Sequence, residues 1–129
     1  MASWNALVVD DSPTVRQLVV IALRRIPGLT CTEACDGAEG IRRLSERRFD
    51  IVLTDLNMPI LGGLALVSYI RGRPETCAIP VVVVTTEGAD EDRRRLLAAG
   101  ATAYLTKPIQ AQLLIDRVKA LLPGWPPTG

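Results

Sequence analysis

The chain has 129 residues, 48% of them hydrophobic, with 15 basic against 14 acidic side chains and a formal net charge of +1. That length suits one domain, and that apolar fraction can fill a core without disulfides or a structural metal. The charge balance leaves no footprint for nucleic acid, and the complete lack of histidine excludes a Ser-His-Asp hydrolase, a histidine kinase and a histidine phosphotransfer protein.

Residues 1–5 lack the basic start and apolar stretch of a signal peptide, so the cytoplasm is the expected location. No apolar run approaches the roughly 20 residues that span a bilayer, and no membrane partner is expected. Residues 6–10, Ala-Leu-Val-Val-Asp, predict the first strand. Ser12-Pro13 then opens a helix with a hydroxyl cap and a proline at the first helical position. Val15, Leu18, Val19, Ala22, Leu23 and Ile26 continue it at helical spacing. The second strand is expected at 29–34 and its helix at 38–47, the third pair at 50–55 and 64–71. The fourth pair falls at 80–85 and 90–99, with Gly100 where a left-handed helix end is expected. A strand at 103–106 and a helix at 110–122 complete the domain, 1–122, and the Pro-rich 123–129 reads as a linker or frayed tail. Cys31, Cys35 and Cys77 read as buried thiols, since a zinc site would have to be built without histidine or a CxxC pair.

Three of the strands are continuous apolar runs, as in sheets covered on both faces. Alternation with short connections implies a parallel sheet with right-handed crossovers, an α/β fold of the (βα)5 kind. Its binding crevice should lie beyond the carboxyl ends of the strands. Asp10 and Asp11 end the first strand, Asp55 the third and Thr85 the fourth, and Lys107 follows the fifth. Each alone is more often a turn former or cap. Together, three carboxylates against one lysine call for a divalent cation, and an oxygen-only donor set points to Mg²⁺. A carboxylate beside Mg²⁺, with a hydroxyl and an amine at hand, suits in-line phosphoryl transfer with Asp55 as nucleophile.

Val8-Val9-Asp10-Asp11-Ser12, Asp55-Leu56-Asn57-Met58-Pro59, Val84-Thr85-Thr86 and Thr106-Lys107-Pro108 resemble, in order and spacing, the signature stretches of CheY-like response-regulator receiver domains. The resemblance runs from about residue 5 to 122. It implies a doubly wound, flavodoxin-like sheet of order 2-1-3-4-5 and a receiver that is not a conventional enzyme. Such a receiver catalyses its own aspartyl phosphorylation and dephosphorylation. The phosphodonor would be a histidine kinase. Asp11 would hold Mg²⁺ directly and Asp10 partly through water, with Asp55 as acceptor and ligand and the Asn57 backbone carbonyl as a further ligand. Lys107 would pair with Asp55 before phosphorylation, and the Lys107–Pro108 peptide would be cis. Thr85 and Tyr104 would form the switch, and the fourth helix, fifth strand and fifth helix would carry the surface for a downstream protein. The cluster Arg93-Arg94-Arg95 reads as a solvated helical face, or else as part of that surface. Asn57 and Glu87 would flank the water that removes the phosphoryl group.

Two features depart from the commonest pattern: Leu61-Gly62-Gly63 replaces a frequent Asp-Gly, and Thr86 stands where alanine or glycine is usual. A dehalogenase-type phosphatase would need a second carboxylate where Asn57 stands, and a flavin module a glycine- and hydroxyl-rich loop where Asp10-Asp11-Ser12-Pro13 stands. The remaining alternative is a receiver that works as a constitutive protein-interaction module without phosphorylation.

Overall fold

Strands and helices alternate along the whole chain: β1 (Trp4–Val9), α1 (Pro13–Leu23), β2 (Leu29–Ala34), α2 (Gly37–Glu46), β3 (Ile51–Asp55), α3 (Gly63–Arg71), β4 (Val81–Thr85), α4 (Asp90–Ala99), β5 (Ala103–Thr106) and α5 (Ala111–Leu121). The structure is a computed structural model that describes residues 3–86 and 90–126. Every strand pairing is parallel and the order is β2-β1-β3-β4-β5. The order reverses at β1, so the crevice opens between the carboxyl ends of β1 and β3.

Strand alternation divides the core in two. Ala6 and Val8 of β1 face one side, where Leu23 of α1 and Leu114 and Val118 of α5 close over them. Leu7 and Val9 face the other, under Leu44 of α2, Leu66 and Ile70 of α3, and Leu96 of α4. The central strands β3 and β4 are buried at every residue, which is why their sequences are unbroken rather than alternating. Each large aliphatic side chain so buried contributes about 1.5–3 kcal/mol.

The helix starts follow their caps. Ser12 Oγ accepts from the Val15 amide at 3.3 Å, with Pro13 as the first helical residue. Asp36 Oδ1 accepts from Glu39 N at 2.8 Å while Glu39 reaches back to the Cys35 amide. This reciprocal cap starts α2 at Gly37, ahead of the expected residue 38. Helix α1 stops at Leu23 rather than running to Ile26, which is still buried from the turn beyond. Gly100 has the left-handed φ of 112° that its position predicted.

The cysteines differ from expectation. Cys31 is half-buried, and burial pushes its thiol up to about 11, but Cys35 and Cys77 are exposed in turns. A turn residue lacks the covering helix that a strand residue has. Beyond α5, Trp125 is half-buried while Pro123, Gly124 and Pro126 are exposed; the Trp4 indole donates to Pro123 O at 2.7 Å, and the Trp4 and Trp125 rings lie 5.3 Å apart.

Ile60 in the β3–α3 loop has a φ of 71° and is 83% exposed. Leu61 N donates to Pro59 O at 2.7 Å around it, a three-residue turn that is rare and strained. A β-branched residue pays for that conformation and gains no burial in return. Ile60→Gly is therefore expected to raise stability by about 1 kcal/mol. Urea denaturation reads this directly, and an unchanged or lowered midpoint would count against the strain.

Candidate functional site

The parallel register delivers the expected residues to one edge. Carboxylate oxygens of Asp10, Asp11 and Asp55 lie within 4.8 Å of one another, the only such acidic or thiol cluster among the described residues. Asp10 and Asp55 are buried and Asp11 is exposed. Lys107 Nζ stands 3.2 Å from Asp10 Oδ2 and 3.4 Å from Asp55 Oδ1. The expected pairing with Asp55 is present, and the pairing with Asp10 is slightly shorter. The Lys107–Pro108 peptide is cis, and Lys107 N donates to Thr85 O at 2.8 Å, tying the lysine loop to the end of β4.

The main chain shapes the carboxylates further. Leu56 N donates to Asp55 Oδ1 at 2.8 Å and Ser12 N to Asp10 Oδ1 at 2.9 Å. Both oxygens of Asp10 are thus engaged, Oδ2 by Lys107, whereas Asp11 has no comparable restraint among the described residues. Burial, and then the Asp10 charge, push the Asp55 carboxyl above the usual carboxylate range; Lys107 and the Leu56 amide offset part of this. Ionised Asp55 is therefore held at a cost that a cation would relieve. The donor set fits Mg²⁺: an octahedral ion with oxygens at about 2.1 Å places them about 3–4 Å apart, within the spread found here.

Thr85 is fully buried at the end of β4, beside this edge. Tyr104 is half-buried on β5, with the Arg93 guanidinium 5.8 Å from its ring centroid. Arg93, Arg94 and Arg95 are exposed along α4. Asn57 is exposed in the loop after β3, and Thr86 is exposed just after β4. Glu87 lies outside the described residues.

Two site residues escaped the sequence reading. Arg16 of α1 donates from Nη1 to Asp10 O at 2.6 Å and from Nε to Glu33 Oε1 at 3.2 Å. Gly63 sits where a Cβ would run into the Asp55 carbonyl oxygen, far inside van der Waals contact. The signal for Arg16 was its place in the first turn after the acidic pair, and for Gly63 the Gly62-Gly63 doublet.

The response regulator receiver domain model matches residues 6–119. The transcriptional regulatory protein PrrA of Mycobacterium leprae is 38% identical over 122 residues, covering 95% of this chain and 51% of that protein. The chain thus spans about half the length of the curated relatives it matches first. Among solved structures, the Vibrio cholerae chemotaxis protein CheY4 superposes with a TM-score of 0.87 at 32% identity, covering 94% of this chain and all of that one. The receiver domain of a Pseudomonas aeruginosa sensor histidine kinase, with a magnesium ion coordinated in its active-site cleft, gives 0.84 at 28% identity, covering 93% and 98%. Family match, strand order and the acidic edge agree: the chain belongs to the response regulator receiver domains.

Proposed function

We propose that this receiver takes a phosphoryl group onto Asp55, with Mg²⁺ held by Asp11, Asp55 and the Asn57 carbonyl and organised by Asp10, and that it thereby switches a protein-binding surface. The observation that carries this reading is the convergence of three carboxylates within 4.8 Å with one lysine reaching two of them. The magnesium-bearing relative supports the choice of ion. When bound, Mg²⁺ would neutralise charge on the phosphoryl oxygens.

The chain's own residues do the rest. With no histidine of its own, the chain needs an outside donor, and a histidine kinase is the partner we assign. An Asp55 oxygen attacks phosphorus in line, the donor's P–N bond breaks, and the leaving nitrogen takes up a proton. Lys107 follows the charge from carboxylate to phosphoryl oxygen, and the Thr85 hydroxyl donates to another of those oxygens. We assign the reaction to the cytoplasm, the compartment of that donor. Separately, no helix among the described residues is long and apolar enough to cross a membrane.

For output we assign the α4–β5–α5 face. Tyr104, Pro108, Ile109, Leu113 and Arg117 line a cavity of about 330 Å³ there, and Leu97 of α4 and Leu113 of α5 are exposed. Drawing Thr85 toward the phosphoryl group lets Tyr104 turn inward and leave Arg93, a shift between two packings. A beryllofluoride–Mg²⁺ complex should show Tyr104 fully buried and the Arg93 contact broken; both side chains unmoved would sink the switch. The acceptor itself is tested with acetyl phosphate and Mg²⁺. One base-labile phosphoryl group per chain should appear by mass spectrometry and be absent with a chelator. No gain in mass would overturn the reading.

A further inference from the structure

We propose that Arg16 is a positioning residue of the metal site, acting through the main chain of Asp10. This rests on the Mg²⁺ reading above. The Arg16 side chain is 17% exposed, so the 2.6 Å bond from its Nη1 to Asp10 O is largely shielded from competing water. Its Nε is held by Glu33 of β2 at 3.2 Å, which fixes the guanidinium plane and supplies a counter-charge.

Asp10 is then gripped at every polar group, and from four places in the fold. Its amide donates to Ala34 O at 3.1 Å, at the end of β2. Its carboxylate takes the Ser12 amide on one oxygen and Lys107 on the other, at 2.9 and 3.2 Å. Its carbonyl takes Arg16. That carbonyl belongs to the planar peptide joining Asp10 to Asp11. Holding the oxygen therefore fixes the plane from which the Asp11 side chain departs. Asp11 is the exposed member of the acidic cluster, and its own side chain has no hydrogen bond or ion pair among the described residues. Its aim into the crevice depends on that plane. Arg16 thus serves the carboxylate of the next residue without touching it.

Charge and position predict opposite signs. If Arg16 acts only as a nearby cation, removing it lessens repulsion and Mg²⁺ binds more tightly. If it positions, removing it weakens binding although a repelling charge is gone. The experiment is calorimetric titration of the full chain with Mg²⁺, comparing wild type, Arg16→Gln and Arg16→Lys, with far-UV circular dichroism to establish folding. Arg16→Gln should bind about tenfold more weakly, the usual scale for a residue that orients a metal ligand. Arg16→Lys keeps the charge but not the two-donor plane, and should show a smaller loss in the same direction. Unchanged or tighter binding by Arg16→Gln would overturn the proposal. Should that variant not fold, wild-type affinity in Arg16→Lys would overturn it instead, and weaker binding would support it. A wild-type chain that takes up no Mg²⁺ would remove the metal reading and this role with it, a result distinct from any difference between variants.

Discussion

Asp55→Asn is expected to take no label from acetyl phosphate in the presence of Mg²⁺, where the wild-type chain is expected to take one phosphoryl group. Asparagine keeps the shape of the side chain and can still accept from the Leu56 amide, which bonds Asp55 Oδ1 at 2.8 Å. Its amide oxygen is not a nucleophile of comparable strength, so geometry survives while chemistry is lost. Full labelling of the variant at another residue would overturn the assignment of the acceptor. Lys107→Ala should behave differently, accepting some label without passing the change to Tyr104, because the lysine stabilises charge and is not the acceptor.

The same substitution has a signature in stability. The Asp55 carboxyl is raised by burial first and by Asp10 second. A raised acid contributes stability that is fully present below its unfolded pKa and is lost as pH rises through the folded one. At neutral pH the metal-free protein therefore carries the cost of an ionised, crowded carboxylate. Asp55→Asn removes that cost, so the variant should melt at a higher temperature than wild type in chelator, and the gap should shrink as pH falls through the carboxylate range. Excess Mg²⁺ should narrow the gap at neutral pH by stabilising wild type alone.

Gly63→Ala is expected to destabilise the fold by about 3 kcal/mol, near the upper end of what overpacking costs. The reason is local. Gly63 N donates to Leu56 O at 2.9 Å, which pins the first turn of α3 against the end of β3. At that distance a methyl group on Gly63 would overlap the Asp55 carbonyl oxygen and crowd Leu56, and both are backbone with no side chain to yield. Gly40 provides the contrast: there a methyl group would meet the Val9 side chain at 3.3 Å, and the helical preference of alanine offsets the squeeze. Gly40→Ala should be close to neutral. Urea denaturation of the two variants side by side decides the matter, and similar midpoints would show that the β3–α3 loop can give way.

The convergence of these side chains was legible because the fold collects them by a rule. In a parallel sheet the carboxyl end of each strand is the same edge, so recognising β1, β3, β4 and β5 was enough to bring Asp10, Asp55, Thr85 and Lys107 together before any distance was known. Element bounds slipped where a cap outweighed hydrophobic spacing, as at Asp36, whose reciprocal bonds with Glu39 start α2 early. Arg16 was legible only as a basic residue in the first turn after the acidic pair, because its part is played toward a carbonyl, and a backbone acceptor leaves no trace in sequence. Ile60 was equally hidden, since nothing in the residue type announces a left-handed turn. The burial of Cys35 and Cys77 was overestimated because a thiol's preference for the interior is weaker than the exposure of the turn it occupies.

The contact between Trp4 and Trp125 joins two residues 121 positions apart and takes in both tryptophans of the chain. Trp4 begins β1 and Asp10 follows its end, so the indole pair stands roughly 20 Å from the acidic edge at the rise of an extended strand. Two indoles 5.3 Å apart and tilted by 54° are close enough for their electronic transitions to couple. The protein therefore carries an optical gauge at the far end of its sheet and no tryptophan at the acidic edge, where Leu56 adjoins Asp55. Tryptophan emission from this chain reports whether Trp4 and Trp125 remain in contact, and a signal sought at Asp55 has to be brought there by a label.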